Sequence, residues 1–427
     1  MAYFKLVILL SLTFIFACGR AMPCKNSVID VDVYSKYNCR AFWDCTTNEL
    51  LASLNQTVRR ESLSHLKIEK IGHTPIWIRI RSNKLHCVIH PDFDRKRYRI
   101  KIYRAAHYIA RLNRILRQGK LKVLDDTEWW SHHSDFVKVP SGSNFPPVFS
   151  VSGAPGFEDI PGIPFMSFSD KISQKENIAF ERNEMRSKSG GIRRMRESKA
   201  FFRGSMSDCS LAVQKYRGDI RFCARAKIVH HAVKSQTELL SGIRSISDFN
   251  KVGLNVECKE CSAAKLTEHE FVDELIRHKY VLDFPGAGNW SRRMSSLLRS
   301  GGLVFQLERT GYQFYEYLLE PAVHYVPFDA QLGKSGAGNL VSRLEWAQMN
   351  EKLAGEISRR SQSFGRECLL DSSINYFLSL LITKYSKLLE GDPSPFPLVD
   401  LSSCNVDRGG RFKLTKSCED SINSCWG

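Results

Sequence analysis

The chain has 427 residues, 62 Lys and Arg against 45 Asp and Glu for a formal net charge of +17, and 43% apolar residues. That length and composition allow two core-bearing domains and exclude a disordered or collagen-like chain. The basic balance suits an acidic ligand, such as a nucleotide sugar or an anionic glycan. A cysteine-rich chain with an export-type leader and no nucleic-acid module argues against nucleic acid as the partner.

The leader is read in residues 1–21. Lys5 supplies a positive start, Leu6 to Ala17 is apolar but short for a bilayer, and Ala17, Gly19 and Ala21 are small enough for cleavage. The expectation is entry into the secretory pathway, with residence in the endoplasmic reticulum or Golgi lumen or secretion. A membrane is involved only if the segment stays on as an uncleaved anchor. Of thirteen cysteines, twelve remain once Cys18 is removed with the leader, which predicts disulfides of unreadable pairing. Cys258-x-x-Cys261 has no second ligand pair nearby, so a disulfide is expected there rather than zinc. Asn55 and Asn289 head glycosylation sequons, the second in a segment expected to be buried.

From Ile76 the sequence IWIRIRSNKLHCVIH alternates like a hairpin, and Tyr103 to Leu116 has a helical apolar period. A strand-like Leu121 to Leu124 then runs into Asp125, Asp126 and Glu128, followed by Trp129 and Trp130. Three acids after a strand make this the best place in the first half for a catalytic carboxylate, although acids also favour an ordinary turn or helix start. Pro- and Gly-punctuated residues 146–168 read as a crossing, and the basic clusters 94–104 and 186–199 flank that region.

In the second half Ala200 to Phe202 is an apolar run ending in Arg203-Gly204-Ser205. Residues 279–328 read as a strand stopped by Pro285 and Gly286, a helix, and a second strand Leu303 to Leu307 after Gly301 and Gly302. Asn289 or Ser291 is expected to cap that helix, and Met294, Leu297 and Leu298 to form its buried face. The glycine loop and helix N-terminus would point backbone N–H groups and about half a positive charge at a bound diphosphate. Arg292 and Arg293 sit there against the helix dipole, which an anionic ligand would explain. From Leu340 to Leu389 helices are expected, with Leu353, Ile357 and Phe364 on one stripe and a core-forming Leu369 to Leu381.

KYVLDFPGAGNWSRR, SGGLVF and YEYLLEPAVHYVPF resemble the donor half of the family 90 glycosyltransferases, the Rumi-type protein O-glucosyltransferases and fungal capsule-associated xylosyltransferases. Lys279, Tyr280, Gly286, Ser291, Arg293, Ser300, Gly301, Leu319, Pro321, His324, Tyr325 and Pro327 follow the family's pattern in order. Pro285 stands where many members have aspartate. Pro147 to Ser150 and Asp159-Ile160 resemble family segments. Arg203, Gly204 and Ser205 match an F-x-R-G-S strand end, with Arg221 as the downstream arginine and Arg217 and Arg225 as competitors. The family's D-W-P triplet corresponds to Glu128-Trp129-Trp130, making Glu128 the first choice of base, with Asp126 and Asp125 behind it.

The resemblance implies an α/β, GT-B-like fold of two Rossmann-like domains with a C-terminal helical segment. With the leader or short signal anchor 1–21, the expected division is an acceptor-side domain 22–168, a donor domain 169–361, and helices with a Cys-containing tail 362–427. The resemblance further implies an inverting glycosyltransferase with UDP-glucose or UDP-xylose as donor and a protein or polysaccharide hydroxyl as acceptor. No metal and no cofactor beyond that donor are expected; Arg203, Gly204, Ser205, Arg221, Gly286, Ser291, Arg292 and Arg293 would bind the diphosphate. A non-catalytic glycan-binding relative of the same fold is the alternative.

Overall fold

A computed structural model describes residues 38–52, 54, 58–64, 75–90, 102–132, 146–154, 157, 159–162, 171–188, 196–286, 288, 290–331, 336–404 and 415–425. The expected leader, both sequon asparagines and most of the basic clusters lie outside these residues. No helix among the described residues is long and apolar enough to cross a membrane.

The first half opens with α1 (Cys39–Ala52), the short β1 (Val58–Arg59) and α2 (Arg60–Ser64). The predicted hairpin is β2 (Pro75–Arg81) and β3 (Lys84–Val88), turning through Ser82 and Asn83 at φ of 50° and 58°. The amphipathic helix is α3 (Ile102–Arg117), followed by β4 (Thr127–His132), β5 (Val148–Ser150), β6 (Ile160–Pro161) and α4 (Lys171–Lys188). Residues 121–124 are not a strand; the strand begins only at Thr127 and places Glu128 inside it.

The second half contains β7 (Glu197–Gly204), α5 (Ser210–Lys215), α6 (Ala224–Lys234), β8 (Gly242–Ser245), α7 (Glu268–Arg277), β9 (His278–Asp283), α8 (Met294–Ser300), β10 (Leu303–Leu307) and β11 (Val326–Phe328). The expected helical run divides into α9 (Leu340–Met349), α10 (Glu351–Glu367) and α11 (Asp371–Ser386). β12 (Leu389–Glu390), β13 (Leu398–Asp400) and α12 (Lys416–Cys425) complete the described chain.

β7 to β11 form an all-parallel sheet in the order β11-β10-β9-β7-β8. Its strands are near-continuous apolar runs because both faces are covered. Ala200, Phe202, Tyr280, Leu282, Leu303 and Phe305 enter one buried cluster, while the alternate residues Phe201, Val281 and Val304 enter the other. Each of the larger apolar side chains contributes roughly 1.5–3 kcal/mol by leaving water. Helix α8 packs on α10 through Met294, Leu297 and Leu298, all buried as expected. Its end is set by Gly301 at φ 74°, where a side chain would collide with Gln362 and Arg196. On α10, Ile357 and Phe364 are buried, but Leu353 faces outward at 44% exposure and Ala354 takes its place in the stripe.

The sheet of the first half has the order β13-β3-β2-β4-β5-β6. It departs from the expected Rossmann-like arrangement: β13, β3, β2 and β4 pair antiparallel, and only β4, β5 and β6 run parallel. The C-terminal segment returns to this half. β13 extends its edge, α11 packs on α1, and α12 packs on α3. Disulfides Cys39–Cys368 and Cys87–Cys425 fasten those returns, Cys404–Cys418 closes the tail, and Cys258–Cys261 confirms the expected local bridge.

Candidate functional site

In the parallel sheet the chain moves outward from β7 to β8, then returns to place β9 on the other side of β7. Such a reversal leaves a crevice above the carboxyl ends of the two strands, where doubly wound sheets take their ligands. Gly204 ends β7 and Asp283 ends β9.

Arg225, in the first turn of α6, reaches into this crevice and is 2% exposed. It donates to the carbonyls of Ser205 and Pro285 and, at 3.2 Å, of Phe284, so it clasps the exits of both strands. Its Nε lies 3.3 Å from Asp208 Oδ1. Burial raises the pKa of the Asp208 carboxyl, against the pull of Arg225. A second crosslink is the Cys209–Cys223 disulfide, which joins the loop after β7 to the residue capping α6.

Arg293 stands at the N-cap position of α8, its guanidinium 5.0 Å from the centre of the Phe202 ring that Arg225 also overlies at 5.5 Å. Gly204 makes the approach possible, since a Cβ there would occupy the space of the Arg293 guanidinium. Burial, then the neighbouring Arg225, push the Arg293 pKa down to about 9, with Asp283 opposing them. A guanidinium keeps its proton at neutral pH, so the positive charge stays in the crevice. Among the described residues the Arg293 guanidinium makes no hydrogen bond and no ion pair; only its backbone carbonyl is engaged, accepting from the Leu297 N–H at 2.9 Å.

The neighbouring charges are paired. Arg309 holds Asp283 and Glu316 at 2.7 Å each, and all three side chains are at most 5% exposed. Burial lowers the Arg309 pKa, but the two carboxylates outweigh it and the net direction is up. Gln313 donates to Glu316 at 2.8 Å and to the Ser291 carbonyl at 2.6 Å, tying the loop before α8 to the segment after β10. Asp283 and Arg309 were not singled out by sequence; their signal was the position of each just at or beyond a strand's carboxyl end.

Gly204, Ser205, Gly286, Ser291, Arg292 and Arg293 all come to this edge. Ser291 is buried but does not cap α8, whose N-cap position belongs to Arg293 with no side-chain cap. Gly286 closes its loop by donating to the Trp290 carbonyl at 2.6 Å. Arg203 points to the opposite sheet face from Phe202 and Gly204, donating to the Ala264 carbonyl at 3.3 Å. Arg221 is 80% exposed and paired with Asp219 at 2.6 Å. The downstream arginine that reaches the crevice is therefore Arg225.

The acids of the first half are arranged differently. Glu128 is fully buried opposite Arg79 in the β2–β4 register. One carboxylate oxygen accepts from Arg79 Nε at 3.0 Å and from Nη2 at 2.5 Å; the other accepts from the Ser394 backbone N–H at 3.2 Å. With both oxygens engaged and no exposed surface, Glu128 has the features of a structural ion pair rather than of a base facing substrate. Asp125 accepts from the Ser82 backbone N–H at 2.6 Å, and Asp126, at φ 59°, lies 3.7 Å from Arg81. These acids occupy the amino end of β4.

At the opposite, carboxyl end, His132 Nε2 meets Asp159 Oδ1 at 2.8 Å, with both side chains inaccessible. This edge faces the other sheet: Gly153, just past β5, exchanges two 2.9 Å backbone hydrogen bonds with Tyr312, just past β10. A side chain at Gly153 would strike Pro161 and the Tyr312 ring. The carboxyl edges of the two parallel segments thus approach each other, one carrying arginines and the other His132 and Asp159.

The family described as Glycosyl transferase family 90 matches residues 36–402. Protein O-glucosyltransferase 2 of Danio rerio is 23% identical over 340 residues, 79% of this chain and 60% of that protein. Protein O-glucosyltransferase 1 of Homo sapiens is 31% identical over 113 residues, 26% of this chain and 27% of that protein. O-glucosyltransferase rumi of Drosophila melanogaster is 27% identical over 137 residues, 32% of each chain. The chain spans 60% or less of the length of these relatives.

Proposed function

Because the chain belongs to glycosyltransferase family 90, we propose that it is an inverting glycosyltransferase that moves glucose or xylose from a UDP-sugar to a hydroxyl of a protein or glycan acceptor. The observation that carries the reading is Arg293: a half-buried guanidinium with no ion pair, packed against Gly204 and beside Arg225 at the reversal of a parallel sheet. A diphosphate there would supply the missing negative charge. The leaving UDP then forms under preorganised donors, an effect worth about 3 kcal/mol per donor in comparable sites.

In the transfer, the acceptor oxygen bonds to the anomeric carbon from one side as the bond to the β-phosphate oxygen breaks on the other, and a base takes the hydroxyl proton. The base must face the donor edge, which favours the carboxyl end of β4 over Glu128, Asp126 and Asp125. The next carboxylate in the sequence after that end is Asp135, which lies outside the described residues. Two carboxyl edges facing one another support a GT-B-like division into an acceptor side, 22–168, and a donor side, 169–361. The five disulfides among the described residues support residence in an oxidising secretory compartment.

The reading holds that arginines, not a divalent ion, meet the phosphate charge. D-x-D spacings at Asp30/Asp32 and Asp92/Asp94 lie outside the described residues, so chelation is the discriminating condition. The test is UDP release by the full chain with UDP-glucose and UDP-xylose, with and without EDTA, for wild type, Arg293→Ala and Asp135→Asn. Turnover that survives EDTA and falls a hundredfold or more in Arg293→Ala is expected. UDP binding without turnover for any donor would favour the non-catalytic glycan-binding reading, which the engagement of Glu128 in an ion pair otherwise supports.

A further inference from the structure

The arginine that clasps the crevice reaches it after a detour. Between the exit of β7 and the start of α6 the chain makes an excursion from Cys209 to Cys223, closed by their disulfide. Both sulfurs are buried, and each lies 3.7 Å from an oxygen of the same carboxylate, Cys209 Sγ from Asp208 Oδ1 and Cys223 Sγ from Asp208 Oδ2. Asp208 in turn faces Arg225 Nε at 3.3 Å. Cys223 Sγ also accepts from the Ala226 N–H at 3.5 Å and so fixes the first turn of α6, from which Arg225 projects. The end of the excursion carries little core of its own: Phe222 is 51% exposed and stacks on Tyr216 at 3.9 Å, with Arg221 pointing to solvent.

We propose that the Cys209–Cys223 disulfide is a positioning element of the phosphate site, holding Asp208 and the first turn of α6 so that Arg225 stays across the two strand exits. The cross-link couples diphosphate affinity to an oxidised pair that carries no charge of its own. Reduction by a dithiol would convert the bridge to two thiols while the dithiol closes to its own disulfide. Arg225 would then be held only by a loop and a helix end no longer joined to each other. This inference rests on the proposed donor site, and the probes separate its failure from that of the site.

The experiment is calorimetric titration of UDP and of uridine into the full chain under non-reducing conditions. Wild type is compared with the paired variant Cys209→Ala/Cys223→Ala and with the control pair Cys404→Ala/Cys418→Ala in the tail. About tenfold weaker UDP binding is expected in the first pair, because Arg225 no longer holds the two strand exits in place, with uridine affinity unchanged because the nucleoside lacks phosphate. The control pair is expected to bind UDP as wild type does. Wild-type UDP affinity in a folded Cys209→Ala/Cys223→Ala chain overturns the proposal. If that pair does not fold, Asp208→Asn replaces it, with the same tenfold loss expected and wild-type affinity again overturning it. A wild-type chain that binds no UDP overturns the donor-site reading itself, and this inference with it.

Discussion

Glu128 and Arg293 are both charged groups drawn into the fold, and their surroundings are opposite. Glu128 in β4 is matched on every side, by two nitrogens of Arg79 and the backbone N–H of Ser394. Arg293 beside β7 has an aromatic ring, a glycine and another arginine for neighbours, and the carboxylates of Asp283 and Glu176 act on it without a hydrogen bond or ion pair. A buried ion pair with all its partners in place is part of the scaffold; removing one member leaves the other stranded. A charge left without a partner weakens the scaffold and is retained where something outside the chain completes it. The comparison moves functional weight from the acids of the first half to the arginines of the second.

The largest effect that could break this contrast is on stability. Glu128→Ala should destabilise the fold by about 3–5 kcal/mol, because it strands Arg79 in the interior, while leaving UDP affinity unchanged in whatever fraction remains folded. Urea unfolding with a parallel UDP titration checks both halves of that statement. An unchanged midpoint would mean that Glu128 is not structural.

A second test concerns His324, which sits in the family-like turn before β11. Burial, then Arg360, lower its pKa to about 4, and its Nδ1 accepts from the Glu320 N–H at 3.0 Å. A neutral imidazole in the fold that protonates near 6.5 when unfolded means that the unfolded state binds more protons between those values. Stability is therefore intact above about pH 6.5 and declines as pH falls toward 4. From pH 7 to pH 5 His324 should contribute a loss of about 2 kcal/mol, read as the part of the urea-midpoint shift that His324→Leu removes. A pH-independent midpoint would remove His324 from the scaffold's acid-sensitive groups.

The smallest effect sharpens the contrast most finely. Gly204→Ala places a methyl where the Arg293 guanidinium rests; that flexible end can swing away, so the fold should hold. UDP affinity should fall about tenfold, the equivalent of roughly 1.4 kcal/mol. A fall in stability without a fall in affinity would make Gly204 a packing glycine.

Much of the second half was legible. The strand stopped by Pro285-Gly286, the buried face of α8, its end at Gly301 and the placement of Arg293 all follow from short-range patterns, because a βαβ unit is built from neighbours in sequence. What failed depended on distance. The partner of Glu128 lies 49 residues away in β2, so a carboxylate after an apolar run looked like a base and proved to be half of a buried pair. Leu121 to Leu124 has the composition of a strand, yet pairing begins only at Thr127, where β2 provides an antiparallel partner. Among the downstream arginines, spacing alone does not separate Arg221, which points to solvent, from Arg225, which is buried at the strand exits. The mixed order of the first sheet follows from β2 pairing antiparallel with both β3 and β4; the alternation announces the hairpin with β3, but not the pairing with β4 or the edge strand β13.

The most direct test of the account is the affinity of UDP for Arg293→Ala compared with wild type, measured by calorimetry together with urea unfolding of both chains. The account predicts that the variant binds UDP at least about a hundredfold more weakly, as for a lost preorganised donor, and unfolds no more easily than wild type because Arg293 leaves no partner behind. Equal UDP affinity, or a loss of stability comparable with that of Glu128→Ala, would contradict it.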